Sequence, residues 1–171
     1  AFAATGVRVG WAMGPSEIIV KMRSINSHIG AWAPMAEQKA VARYLLQTEA
    51  INKYFVGFKS EINERLQKIH EGFQQLKKDG FTVDSISPEA AIYLTIQINY
   101  AGKKTKEGKA LTTQADVTSY ILDEAKLAIV PFYAFGADRN SSWYRLSVGT
   151  CKKEEIAEML GMLKAALDKL S

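Results

Sequence analysis

The chain has 171 residues, 47% of them hydrophobic and 23% charged, which is the composition of an ordinary soluble globular protein. The formal net charge of +4 is modest, and Lys and Arg are interleaved with Asp and Glu, so a nucleic-acid-binding protein is not indicated. The absence of a long apolar run and of a signal peptide, together with a single cysteine at Cys151, predicts a cytoplasmic protein without membrane, disulfide or metal site.

The first third of the chain is predicted to form one strand and two helices. Apolar residues alternate with other residues over 7–12, which is typical of a strand, and the turn at 14–16 ends it. Ser16 is predicted as the N-cap of a short helix that continues until the loop at 26–34. A second helix is predicted over 35–48, and the residues expected to face inward are Ala36, Ala40, Tyr44 and Leu45.

The clearest element is a long amphipathic helix over about 49–78. Apolar residues recur every three or four positions without a break, and Gly80 stands just past the end as a C-cap. At 1.5 Å per residue such a helix spans roughly 45 Å, which is longer than a small domain is wide. It is therefore predicted to join two domains.

The remainder of the chain alternates strands and helices. Strands are predicted over 81–83, 91–98, 127–130 and 143–148. Thr113 and Asp116 have the spacing of a capping box, which opens a helix that ends near Lys126, and a closing helix is predicted over 152–170. The predicted fold class is α/β. Its sheet is small, mixed or antiparallel, and covered by helices, as in α+β domains.

Arg8 and Arg145 both lie inside predicted apolar strands, where a permanent positive charge needs an anion. Alternation predicts that Arg145 shares a strand face with Trp143 and Ser147. A guanidinium presents a planar set of donors that matches carboxylate and phosphate geometry. Two alternatives are open for each arginine, an internal ion pair with Asp or Glu and the binding of an anionic ligand.

The first residues of the chain, AFAATGVRVGW, resemble an active-site motif of class I/II aminotransferases. In that family the segment after the cofactor lysine has the pattern SK-x-F-x-x-x-G-x-R-x-G, and Phe2, Gly6, Arg8 and Gly10 are in register with it. The resemblance places the Schiff-base lysine directly before Ala1 and implies a C-terminal piece of a pyridoxal phosphate (PLP) enzyme of fold type I.

The resemblance also implies a domain division and roles for the two arginines. Residues 1–48 would be a remnant of the large PLP-binding domain, and 49–171 the small domain with the long connecting helix. Arg8 matches the arginine that binds the PLP phosphate, and Arg145 in YRLS matches the arginine that binds the substrate α-carboxylate. The full-length parent would be a homodimer acting on an amino acid and a 2-oxo acid. The piece itself would hold no PLP and show no turnover.

Two further segments are similar to family motifs. PEAAIYL at 88–94 is similar to P-x-GAFY, and VPFYAFG at 130–136 is similar to VPG-x-x-FG, which lines the substrate pocket. Phe132 and Tyr133 depart from the second motif, where a glycine and a small residue are common, and predict a bulky pocket wall that favours a particular side chain. There are two alternatives to a transaminase. The first is another PLP enzyme of fold type I, such as a lyase or a synthase, and the second is a non-enzymatic α/β interaction domain.

Other candidate residues carry weaker signals. Arg23 lies near a segment that supplies a second arginine in some aspartate aminotransferases, but the loop aligns poorly and a solvated helix residue is predicted. His28 and His70 lack a second ligand at metal spacing and are predicted at the surface. Ile29 and Trp32 are predicted to pack at a dimer interface or at the domain junction. If the large domain is missing, the strand predicted near residues 7–13 should be exposed, displaced or paired with a second copy.

Overall fold

The computed structural model describes residues 2–171, which form two compact units that meet in the chain after Val56. The first unit contains a 3₁₀ turn at Thr5–Val7 and helices α1 (Ser16–Ile29) and α2 (Met35–Tyr44). Helix α3 (Thr48–Lys78) begins in the first unit and continues into the second. The second unit adds helices α4 (Gln114–Ala125) and α5 (Ile156–Leu167) and four strands. No helix within the described residues is long and apolar enough to cross a membrane.

The strand predicted over 7–12 is wrong, because residues 8–15 have no regular structure. Arg8 has a φ of 58°, in the left-handed region, which no strand residue adopts. The alternating pattern was present, but a strand also requires a neighbour for its backbone hydrogen bonds, and all the strand pairings of the described residues lie in the second unit. The expectation that this segment is exposed is confirmed, since Trp11 is 63% and Met13 91% exposed.

The first unit has little core of its own. Helices α1 and α2 contain no buried residue. Ala36, Ala40 and Leu45, predicted to face inward, are exposed, whereas Tyr44 is half-buried and its ring contacts that of Phe2. Helix α2 also ends at Tyr44, before the predicted boundary.

The long helix is confirmed as α3, and its second half carries the buried surface. Leu66, Ile69, Phe73 and Leu76 are buried on one stripe. The stripe follows from their spacing of three or four residues, which places them on one side of a helix. The helix ends where Gly80 adopts a φ of 97°, and the Phe81 amide then donates to the Leu76 carbonyl, a glycine C-cap of the kind predicted.

The second unit is built on a four-stranded antiparallel sheet in the order β1-β2-β4-β3. The strands are β1 (Val83–Ser85), β2 (Tyr93–Ile98), β3 (Val130–Pro131) and β4 (Trp143–Ser147). Three predicted strand starts were wrong, and one of them is that of β2, which begins at Tyr93 and not at residue 91. Strand β1 begins at Val83, since Phe81 is still part of the helix cap, and β3 is only two residues long. Pro131 has no N–H group to extend the pairing with β4.

The core lies on one face of this sheet, against α3, α4 and α5. Leu94, Ile96 and Ile98 of β2 and Tyr144 and Leu146 of β4 contribute the sheet side of it. The predicted capping box is present at the start of α4, where the Thr113 hydroxyl accepts a hydrogen bond from the Asp116 amide. Helix α5 follows a 3₁₀ turn at Lys153–Glu155 and is shorter than predicted.

Lys153 joins this turn to α3 through two carboxylates. Its ammonium lies 2.6 Å from the Glu64 carboxylate and 2.9 Å from that of Glu61. Hydrogen bonding to Lys153 and then to Lys68 lowers the pKa of Glu64 from 4.5 to about 2. Both carboxylates raise the pKa of Lys153 above its ordinary 10.5. The stabilisation is therefore complete between pH 4.5 and 10.5 and is lost progressively as the pH falls from 4.5 toward 2 or rises above 10.5.

We expect Lys153→Met to lower the thermal unfolding temperature by a few degrees at pH 7, because it leaves Glu61 and Glu64 without this partner. The difference from wild type should shrink as the pH falls from 4.5 toward 2, because the carboxylates then take up protons. Circular dichroism melts at several pH values measure this. Lys152→Met is the matched control, since Lys152 pairs with Glu155 within its own turn. A Lys153→Met deficit that persists at pH 2 would contradict the assignment.

Helices α3 and α5 approach closely at Gly72. A Cβ atom at Gly72 would lie 2.2 Å from Cδ1 of Leu160, whereas one at Gly161 in α5 would meet nothing within 4 Å. We expect Gly161→Ala to raise the free energy of unfolding by about 0.5–1 kcal/mol, since alanine favours the helix. Gly72→Ala should instead lower it by about 1 kcal/mol, because Leu160 must move out of its site. Urea titrations of both variants test the contrast, and equal stabilisation by both would be inconsistent with the close approach.

Candidate functional site

The outer face of the sheet, turned away from the core, carries the polar and aromatic residues. Along β4, Tyr144 and Leu146 are buried, so Trp143, Arg145 and Ser147 lie on the other face, as predicted. Arg145 is opposite Thr95 on β2 and opposite Val130 on β3. The sheet therefore places its one arginine in the middle of the outer face, in a half-buried position.

The Arg145 guanidinium lies over two aromatic rings. The guanidinium carbon lies 4.4 Å from the centre of the Tyr93 ring and 4.4 Å from the centre of the Phe135 ring. No carboxylate among residues 2–171 is within ion-pair distance of Arg145. Within this part of the chain, Arg145 therefore does not form the internal ion pair that was one of its two alternatives.

Phe135 comes from a tight turn that follows β3. The segment Phe132–Phe135 forms a 3₁₀ turn, and Gly136 ends it with a φ of 91°. The Gly136 amide donates back to the carbonyls of Phe132 and Tyr133, which fixes the turn. Phe132 meets Phe135 edge to face with ring centres 6.5 Å apart. The VPFYAFG motif therefore supplies an aromatic wall beside the arginine.

Arg8 lies in the first unit and is held by its own backbone. It ends the 3₁₀ turn Thr5–Val7, and its Nη1 donates to the Thr5 carbonyl at 3.1 Å. The residue is exposed and, like Arg145, has no ion-pair partner among residues 2–171. It lines an open cavity of about 510 Å³ within the first unit, together with Trp11, Trp32 and Gln38.

The weaker candidates lie apart from these features. Arg23 is exposed on α1, and His28 is exposed with its Nδ1 2.8 Å from the Ser24 carbonyl oxygen. The surface position predicted for His70 is wrong, because it is half-buried with Nδ1 2.7 Å from the Ser85 hydroxyl. Among residues 2–171 no cluster of His, Cys, Asp and Glu is arranged to hold a metal ion. Ile29 and Trp32 are exposed.

Tyr93 and Phe135 lie in the segments PEAAIYL and VPFYAFG, which are similar to family motifs. The sequence alone does not predict that either ring lies beside Arg145. The available signal was the position of Tyr93, two residues before the residue that pairs with Arg145. Finding it required the strand register, which the sequence alone does not provide.

The sequence model of the family Aminotransferase class I and II matches residues 1–163, and the chain therefore belongs to this family. The aspartate aminotransferase of Rhizobium meliloti (strain 1021) is 30% identical over 175 residues, an alignment that covers 100% of this chain and 39% of that protein. A probable aspartate/prephenate aminotransferase of Rickettsia typhi is 29% identical, and the alignment covers 99% of this chain and 40% of that protein. The chain thus spans about two fifths of the length of these relatives.

Solved structures agree with this assignment. The crystal structure of the Rhizobium meliloti aspartate aminotransferase matches 99% of this chain and 40% of its own, with a TM-score of 0.76 and 30% identity. The aromatic aminotransferase of Pyrococcus horikoshii has a TM-score of 0.78 at 22% identity over 97% of this chain and 40% of its own, and shows the fold alone. The predicted fold, helices around a small antiparallel sheet of the fold type I aminotransferases, is confirmed.

Proposed function

We propose that the parent protein is a PLP-dependent aminotransferase that transfers an amino group between an amino acid and a 2-oxo acid. The observation that carries the proposal is an arginine without a carboxylate partner on the outer sheet face, in a chain whose family match covers residues 1–163. In the parent, residues 1–48 would belong to the large domain and 49–171 to the small one. We also propose that the parent is a cytoplasmic homodimer and that its cofactor lysine directly precedes Ala1.

Arg145 is proposed to bind the α-carboxylate, which both substrates share. A carboxylate approaching in the plane of the guanidinium can accept two parallel hydrogen bonds, which fixes its orientation as well as its position. Because Arg145 is permanently charged, it binds the carboxylate of the amino acid and of the oxo acid alike. Its contribution is to orient the substrate, and it transfers no proton.

Arg8 is proposed to bind the phosphate of PLP. Its donor set fits this group, since a guanidinium has five N–H donors and one bond to the Thr5 carbonyl leaves others available. The side chain is exposed and has no carboxylate partner in residues 2–171, so its charge is available to an anion. When bound, PLP supplies an electron sink for the negative charge that develops at the substrate α-carbon.

The first test uses the full-length parent with aspartate, the donor named for the relatives above, and a 2-oxo acid. Arg145→Lys should lower kcat/KM for both substrates about 10- to 100-fold, because it removes a bidentate charged hydrogen bond. Arg8→Lys should instead weaken PLP binding and leave the substrate KM unchanged at saturating PLP. Steady-state kinetics and absorbance titration with PLP separate the two effects.

The exposed Arg139, exchanged to Lys, is the matched control for both substitutions. If the wild-type parent binds PLP but yields lyase or synthase products, the parent catalyses another reaction of the same fold and the proposal of transamination is wrong. A parent that binds no PLP would support the interaction-domain alternative and contradict the proposal.

The second test concerns side-chain preference. Phe132 is half-buried and contacts Phe135 beside Arg145, so its ring narrows the space next to the proposed carboxylate site. We expect Phe132→Gly to change the ratio of kcat/KM between a bulky amino acid donor and aspartate about ten-fold in favour of the bulky donor. Parallel kinetics with donors of increasing size measure the ratio. An equal fall in kcat/KM for every donor would indicate damage to the Arg145 environment. It would contradict a role of Phe132 in selecting the side chain of the donor.

A further inference from the structure

We infer that Tyr93 and Phe135 are positioning residues, which hold the Arg145 guanidinium between their rings and leave its N–H edge free for a carboxylate. The inference rests on the proposed function of Arg145 and adds two residues to it. Tyr93 and Phe135 together form an aromatic clamp.

The two rings are anchored independently of each other. Tyr93 lies on β2, two residues from Thr95, which is the register partner of Arg145. Diagonal neighbours of this kind lie on the same face of an antiparallel pair and are within reach of a long side chain. Phe135 is instead fixed by the 3₁₀ turn that Gly136 ends. The sheet register therefore determines the position of Tyr93, and the turn after β3 determines that of Phe135.

The geometry limits how a ligand can approach Arg145. In the proposed clamp the two rings, whose centres each lie 4.4 Å from the guanidinium carbon, cover the two faces of the guanidinium. The N–H donors lie in the guanidinium plane and point away from both rings. A carboxylate can then reach them only edge-on, in the bidentate arrangement that orients it. The rings also displace water from the faces, which strengthens the attraction between the two charges.

A second cation in the same unit shows the ordinary arrangement. Lys164 lies 5.8 Å from the centre of the Phe81 ring and pairs with the Asp79 carboxylate at 3.2 Å. There a resident carboxylate neutralises the charge and one distant ring adds little. At Arg145 two closer rings take the place of a resident carboxylate, which keeps the guanidinium ordered without consuming its donors.

The rings contribute little to the core. Tyr93 is 40% and Phe135 55% exposed, and neither belongs to the buried cluster of the second unit. A ring placed mainly for stability would be expected in that cluster. Both rings are therefore better explained by the orientation of Arg145 than by burial.

Nuclear magnetic resonance of the 171-residue chain tests the clamp directly. Rings over a guanidinium shift its Nε–H proton upfield, so the Arg145 signal should lie upfield of that of the exposed Arg139. Tyr93→Leu and Phe135→Leu should each move it back part of the way, whereas Tyr93→Phe, which keeps the ring, should leave it in place. An Arg145 signal that none of these substitutions moves would overturn the clamp.

Kinetics of the full-length parent test whether the aromatic clamp contributes to substrate binding. We expect Tyr93→Leu and Phe135→Leu each to raise KM for the amino acid and for the oxo acid about 3- to 30-fold, since both carry the carboxylate. Tyr93→Phe should retain the wild-type KM. Phe81→Leu, which removes the ring near Lys164, is the matched control and should also retain it.

A double-mutant cycle separates positioning from general damage. In an Arg145→Gln background the ring substitutions should no longer affect KM, because the group through which they act is absent. A loss that persists in this background, or an equal loss in Tyr93→Phe, would refute positioning through the guanidinium. If the wild-type parent shows no transamination, the proposed function fails, and the resonance of Arg145 still decides whether the rings hold it.

Discussion

The alternation of buried and exposed residues along β2 and β4 is the constraint on which the second unit depends. Leu94, Ile96 and Ile98 are at most 1% exposed and turn one face of β2 toward the helices. Because side chains alternate along a strand, burial of Tyr144 on β4 turns Arg145 to the outer face. A shift of one residue would exchange the two faces completely. The burial that stabilises the fold therefore also presents the guanidinium.

The two units carry different shares of the stability. Every buried hydrophobic residue among those described lies at or beyond Leu66, in the second unit. The first unit has Trp11, Ile29 and Trp32 largely exposed, and its helices bury no residue. Apolar surface of this extent usually marks a region that another surface covers. This agrees with a chain that spans 39% of a relative's length.

The elements that sequence predicted well are those specified by local chemistry. The apolar stripe of α3, its end at Gly80 and the Thr113–Asp116 cap depend on residues within a few positions of each other. The predicted strand at 7–12 failed because pairing needs a distant partner, and the edges of β1 failed because the helix cap extends to Phe81. The rings beside Arg145 were missed for the same reason, since only the strand register and the turn after β3 bring them together.

An unpaired guanidinium is costly to keep half-buried, because it loses water without gaining a partner. Proteins usually meet this cost with a resident carboxylate, and removing one partner of such a pair is strongly destabilising. At Arg145 two aromatic rings, whose centres lie 4.4 Å from the guanidinium carbon, lower this cost because they attract the cation through their faces. A charge retained in this way has no structural counterpart within residues 2–171. Under the proposed function, its counterpart is the carboxylate of the substrate.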